Sequence, residues 1–233
     1  MNIIITGASR GFGFSIAEIF AANGYNLYLC SKNEANLLKA AKALQQKFPD
    51  AIIKTFAKDL SKRQEVIDFG KQLITEKISI DVLINNAGSF MPGSVYNEPD
   101  NALEQMMDTN LYSAYHLTRV LLPSMIEKQS GHIFNMCSIA SIKAYNNGGA
   151  YSISKFALLG FNKNLREEMK PYNIKVTAVL PGAAYTDSWK SSGVDPKRIM
   201  EAEDIAKLVF SASQLSAQAC VEEIVLRPQL GDL

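Results

Sequence analysis

The chain has 233 residues, 47% apolar and 20% charged, a length and composition that fit one α/β domain with a full core. A formal net charge of +1 gives no basic excess for nucleic acid, and two histidines with three scattered cysteines are too few for a zinc site. Cys30, Cys137 and Cys220 read as free thiols of a reducing cytosol. A first strand starting at Asn2 is expected to leave no room for a signal peptide, and no apolar run reaches the roughly 18 residues of a membrane helix.

Short apolar runs alternate with helix-like stretches from end to end. The runs are Ile3–Ile5, Leu27–Cys30, Ile52–Ala57, Val82–Ile84, His132–Cys137, Lys175–Leu180 and Val221–Leu226. Most do not alternate with polar residues, as expected of strands buried on both faces. Helices are predicted near 12–23, 33–48, 61–77, 100–129, 150–172 and 202–214. Ser61 and Gln64 read as a capping box opening the third. This order predicts a doubly wound parallel sheet of about seven strands with helices on both faces. There is no internal repeat, low-complexity stretch or linker, so residues 1–233 are expected to form a single domain.

The first strand runs into Thr6-Gly7-Ala8-Ser9-Arg10-Gly11-Phe12-Gly13 and then a helix. Glycines let a backbone turn tightly and approach a pyrophosphate. The following helix start offers unpaired N–H groups and the positive end of its dipole. The plain alternative is a strand–helix turn that binds nothing. This Thr-Gly-x-x-x-Gly-x-Gly turn resembles the cofactor turn of the short-chain dehydrogenase/reductase family. The resemblance continues through Asn85-Asn86-Ala87-Gly88, Asn110, Ser138, Tyr151-x-x-x-Lys155 and Pro181-Gly182, and so covers nearly the whole chain. It implies a Rossmann-type fold and cofactor contacts from Gly7, Ser9, Arg10, Gly11, Phe12, Gly13, Asn86, Ala87 and Gly88. Asp59 and Leu60 resemble the family's adenine contact, though Asp59 also reads as a helix cap. Pro181, Gly182, Ala184 and Thr186 resemble the segment beside the nicotinamide.

After the second strand, NAD users carry an acid that accepts from the ribose 2′-hydroxyl. Here the corresponding residue is Ser31, followed by Lys32, with Arg10 in the glycine turn. Two cations and no carboxylate suit a 2′-phosphate, so NADP(H) is expected over NAD(H). The alternative is that both are solvated surface charges.

Tyr151 and Lys155, four apart on a predicted helix, share one face. Ser138 lies thirteen residues before Tyr151, at the end of a strand. Carboxyl ends of strands are where ligands sit in an open α/β sheet. Reducing a carbonyl needs a hydride on carbon and a proton on oxygen. An ordinary phenol has a pKa of about 10, and lowering it by about three units takes roughly 4 kcal/mol. A cation about 4 Å away contributes about that much at an effective dielectric near 20. Lys155 is placed to act so on Tyr151, and Ser138 to hold the substrate oxygen. The resemblance adds that Lys155 binds the nicotinamide ribose and that Asn110 holds a water linking Lys155 to solvent. Taken singly, each residue also reads as ordinary core or surface.

Phe90, Met91, Tyr145, Tyr185 and Trp189 are candidate pocket walls, and the stretch from Trp189 to Pro196 resembles the family's lid. Cys137 reads as a buried structural thiol. Helices 100–129 and 150–172 are apolar on more than one face, and the resemblance implies that they join subunits into a homodimer or homotetramer. The expected function is reversible reduction of a small-molecule carbonyl or alcohol pair, with no nucleic-acid or membrane partner. The chain also resembles 3-oxoacyl-carrier-protein reductases, although no basic surplus points to an acidic carrier. A non-catalytic NADP-binding sensor on the same fold is the alternative from another class. An epimerase or dehydratase would need a longer substrate region.

Overall fold

The computed structural model describes residues 1–186 and 193–232. Seven parallel strands form one sheet: β1 Asn2–Thr6, β2 Asn26–Ser31, β3 Ile53–Ala57, β4 Val82–Asn85, β5 Gly131–Met136, β6 Ile174–Pro181 and, after two short strands, β9 Glu223–Leu226. Their spatial order is β3-β2-β1-β4-β5-β6-β9. The order reverses at β1 and β4, and ligands bind at such a switch point in open α/β sheets.

Alternate residues of the strands face opposite ways, and helices cover both sides. On one face Ile3, Ile5, Leu27, Leu29, Ile84 and Phe134 pack on α1 (Gly11–Ala22), α2 (Glu34–Lys47) and α7 (Ala202–Ser213). On the other, Ile4, Tyr28, Leu83, Ile133 and Val176 pack on α3 (Arg63–Thr75), α5 (Ser113–Lys128) and α6 (Gly149–Met169). Two-sided burial explains why the strands read as unbroken apolar runs.

Three local expectations change. The helix predicted over 100–129 is broken into α4 (Ala102–Met107), a π-helical turn at Asp108–Tyr112, and α5. π-Turns within helices are frequent at functional sites, and this one contains Asn110. The capping box at Ser61 and Gln64 is absent. The Ser61 hydroxyl donates to Asp59 Oδ1 at 2.7 Å, Gln64 reaches Asp68, and the α3 N-cap is Lys62, which makes no side-chain cap bond. A nearby carboxylate has outcompeted the helix start for the hydroxyl. A two-residue strand pair, β7 (Ala184–Tyr185) with β8 (Met200–Glu201), has no counterpart in the sequence reading.

Among the described residues, no helix is long and apolar enough to cross a membrane. Cys30, Cys137 and Cys220 are free thiols.

Candidate active site

The glycine turn is sewn to the end of β4 through Thr6 and Asn86. Thr6 Oγ1 donates to the Ile84 carbonyl and accepts from the N–H groups of Asn86 and Ala87, both at 2.9 Å. Asn86 Nδ2 donates back to the carbonyls of Thr6 and Gly7. Gly7 has φ +64, in the left-handed region that favours glycine. A Cβ on Gly13 would stand 2.4 Å from the Gly7 carbonyl oxygen, so helix α1 approaches the turn as closely as only glycine permits. Helix α1 starts with no side-chain cap and no acid in its first turn. Thr186 crosses above: its Cγ2 would be 3.4 Å from a Cβ on Gly11. Gly182 N–H donates to Leu226 O at 2.8 Å, and Ala184 is buried in β7.

At the second strand, Ser31 and Ser9 hydroxyls meet at 3.0 Å. Lys32 is not a lone surface cation: its Nζ lies 2.9 Å from Asp59 Oδ2, with Lys62 at 4.0 Å. Burial raises the Asp59 carboxyl, but hydrogen bonds from Lys32 and Ser61 outweigh it and leave the group below its ordinary value. Asp59 therefore closes a local turn onto Ser61 and does not cap α3. Leu60 beside it is buried.

The predicted proton-transfer residues converge at the carboxyl ends of β4 and β5. Lys155 is only 7% exposed, and its ammonium donates to the Met136 carbonyl, two residues before Ser138, at 2.8 Å. The same ammonium lies 5.9 Å from the Tyr151 ring centroid. The Phe90 ring meets Tyr151 edge to face at 4.9 Å. Ser138 Oγ accepts from Ala140 N–H, and the Ser138 N–H donates to Ser141 Oγ. Among the described residues, neither the Tyr151 hydroxyl nor the Ser138 hydroxyl proton is given to an acceptor.

Asn110 is 1% exposed, and its side chain is already engaged. Oδ1 accepts from Ser89 N–H at 2.8 Å, and Nδ2 donates to Ser89 O and Ser154 Oγ. Ser154 in turn donates to the Tyr151 carbonyl at 2.7 Å. The amide thus braces the loop after β4 against α6. A Cβ on Gly88 would lie 3.1 Å from Asn110 Oδ1 and 3.6 Å from Lys155 Nζ, so the gap between them exists because residue 88 has no side chain.

Of the expected walls, Phe90, Tyr145 and Tyr185 are partly exposed, while Met91 packs with Ala102, Met106 and Ala150. Trp189 and Ser191–Ser192 lie outside the described residues. Cys137 is buried, and burial pushes its thiol up to about 12, which suits a structural role. Sequence reasoning missed Ser89, Ser154 and the Met136 carbonyl. Ser154 alone carried a signal, three residues after Tyr151 on the same helical face.

A family model described as short chain dehydrogenase matches residues 1–197. The chain is 33% identical to a sepiapterin reductase of Chlorobaculum tepidum, over 99% of this chain and 97% of that protein. It is 29% identical to an uncharacterized oxidoreductase of Staphylococcus saprophyticus, over 97% and 96%. Two solved structures are also similar. One is a metagenomic short-chain oxidoreductase in complex with NADP (27% identity, TM-score 0.86, 98% and 97% covered). The other is an alcohol dehydrogenase of Thermococcus sibiricus complexed with 5-hydroxy-NADP (26%, TM-score 0.89, 98% and 96%).

Proposed function

The chain belongs to the short chain dehydrogenase family of oxidoreductases, and we propose that it uses NADP(H) to interconvert a carbonyl and a secondary alcohol on a small molecule. The residues present fit a dinucleotide. A Cβ at Gly7 or Gly13 would collide with Asn86 and with the turn's own backbone, so only glycines allow this tight turn at the start of α1, which has no side-chain cap and no acid to repel a pyrophosphate. Ser31 stands where an acid would oppose a 2′-phosphate, with Lys32 and Arg10 supplying positive charge. The NADP complexes of two similar structures support the same choice.

When bound, NADPH supplies the hydride. The chain's own residues handle the oxygen. Tyr151 gives its phenolic proton to the substrate oxygen, and Ser138 donates a hydrogen bond to the same oxygen as negative charge develops. Lys155, held by the Met136 carbonyl, places its ammonium beside the Tyr151 ring, where it balances the negative charge left when the proton is given. Asn110 holds the loop after β4 and α6 in register, and its polar side-chain atoms bond to Ser89 and Ser154. What supports the reading most is that Tyr151, with its hydroxyl proton ungiven among the described residues, adjoins a buried ammonium beside Gly88.

The test is NADPH consumption over ketones, 3-oxoacyl thioesters, 3-oxo acids, sugars and pteridines, the last favoured by the sepiapterin reductase relative. Tight NADPH binding with no oxidation by any of these would instead favour a cofactor sensor.

We also propose a homodimer or homotetramer. Leu103, Tyr112, Ile153 and Phe156 leave large apolar side chains exposed along α4, the π-turn and α6. A monomer mass by light scattering at micromolar concentration would contradict this.

A further inference from the structure

Helix α6 carries Tyr151 as its third residue and has no cap of its own. Its N-cap residue is Gly148, which lends no side chain, and its first turn holds no acid. The first N–H groups of a helix need acceptors from outside it. One acceptor comes from 52 positions earlier: Glu98 Oε2 takes the Ala150 N–H at 3.0 Å. A Cβ on Gly149, where φ is +26, would stand 2.3 Å from that oxygen and 2.5 Å from the Gly93 carbonyl. The glycine therefore makes room for the carboxylate.

Two more bonds run between the same loops. Gly93 N–H donates to Asn147 O at 3.1 Å, and Ser94 Oγ donates to Asn147 Oδ1 at 2.9 Å. Asn147 itself holds φ +59. The loop bearing Phe90 and the loop bearing Tyr145 are thus one stitched unit, ending at the turn that holds Tyr151. Phe90 touches the Tyr151 ring from this unit. A negative charge at a helix start is also favourable to the helix dipole.

We propose that Glu98 is a positioning residue: by holding the Ala150 N–H from the opposite loop, its carboxylate fixes where the Tyr151 phenol points and ties it to the Phe90 wall. The inference rests on Tyr151 being the proton donor. Glu98 touches no reacting atom, so its loss displaces the phenol and lowers kcat more than it changes cofactor affinity.

Three variants of the full chain test it, with NADPH and the vicinal diketone phenylpropanedione as probe. Glu98→Met keeps the stem and removes the acceptor; kcat falls about tenfold or more, the size of effect of a misplaced reacting group, while KM, NADPH Kd and Tm change little. Glu98→Gln keeps an amide oxygen that accepts from Ala150 and restores kcat to within about threefold, since a neutral acceptor still caps a helix. Glu98→Asp withdraws the acceptor by one methylene and falls between. Wild-type kcat in Glu98→Met, or a loss matched step for step by weaker NADPH binding, overturns the proposal. If Glu98→Met does not fold, equal kcat in the Gln and Asp variants overturns it. Tyr151→Phe is measured alongside: if it stays active, the proton-donor reading fails. The positioning contact is then judged by amide hydrogen exchange at Ala150, which must be faster in Glu98→Met, or in Glu98→Asp, than in wild type.

Discussion

The two ends of the central sheet pair their polar groups to different purposes. At the amino end, Asn2 N–H and Lys128 share the Asp81 carboxylate, Asn26 binds Asn2, and His132 meets Thr177. These groups mostly bind one another. At the carboxyl end, Lys155, Asn110 and Ser154 are more deeply buried than Asn2, Asn26, Asp81 or Lys128, and they spend their bonds on main-chain atoms and on each other. That leaves the Tyr151 and Ser138 hydroxyl protons unspent among the described residues. A buried polar group is costly unless hydrogen-bonded, and most are. Lys155, Asn110 and Ser154 meet that demand through the main chain and one another, and under the proposed function the two free hydroxyl protons serve the chemistry.

The contrast breaks first at Tyr151. Tyr151→Phe keeps the ring against Phe90 and removes only the hydroxyl. Turnover is expected to fall by about a thousandfold, within the range for loss of a general acid. NADPH affinity by fluorescence titration should stay within about twofold. Retention of more than a few percent of activity would show that the hydroxyl does no proton transfer. Next in size is Gly13→Ala, which forces a Cβ against the Gly7 carbonyl and Asn86 Nδ2. Overpacking of about 1–3 kcal/mol predicts NADPH binding weaker by roughly ten- to a hundredfold. An unchanged Kd would mean that the turn does not hold the cofactor.

Much of this was legible in the sequence, because two-sided burial writes each strand as an apolar run and the glycine turn admits few alternatives. The break at Asp108–Tyr112 was not legible, since apolar residues continue through it. A single amide that must reach both Ser89 and Ser154 accompanies the break, and such a demand leaves no periodic trace. The Lys32–Asp59 pair was also hidden: each residue was visible alone, and only the β2–β3 pairing brings them together. That pair sharpens the cofactor expectation. A 2′-phosphate must share Lys32 with Asp59, and the ammonium is largely solvated, so Lys32→Asp should reduce the NADPH-over-NADH preference by only about tenfold. The ratio of the two dissociation constants measures it, and an unchanged ratio would remove Lys32 from the site.

The effect with the least bearing on turnover belongs to the amino end and appears as pH dependence of stability. Thr177 Oγ1 gives its one proton to the Val221 carbonyl at 2.6 Å, so at 2.8 Å it must accept from His132 Nε2–H. This fixes the neutral tautomer and leaves Nδ1 buried without a partner. Burial, with some help from the Lys175 charge, pushes the imidazole from 6.5 down to about 3. Between those values the unfolded chain binds a proton that the folded chain refuses. Stability is therefore full above about pH 6.5, falls as pH drops toward about 3, and is flat below, with a limiting slope of about 1.4 kcal/mol per pH unit. His132→Gln keeps a donor to Thr177 and removes the titration. Urea unfolding of both proteins between about pH 7 and pH 4 should show the wild type losing its margin over the variant as acid is added. Parallel curves would mean that His132 titrates alike in both states. Turnover at neutral pH should be the same in both, because the imidazole lies at the amino end of β5, the opposite end of the strand from Ser138.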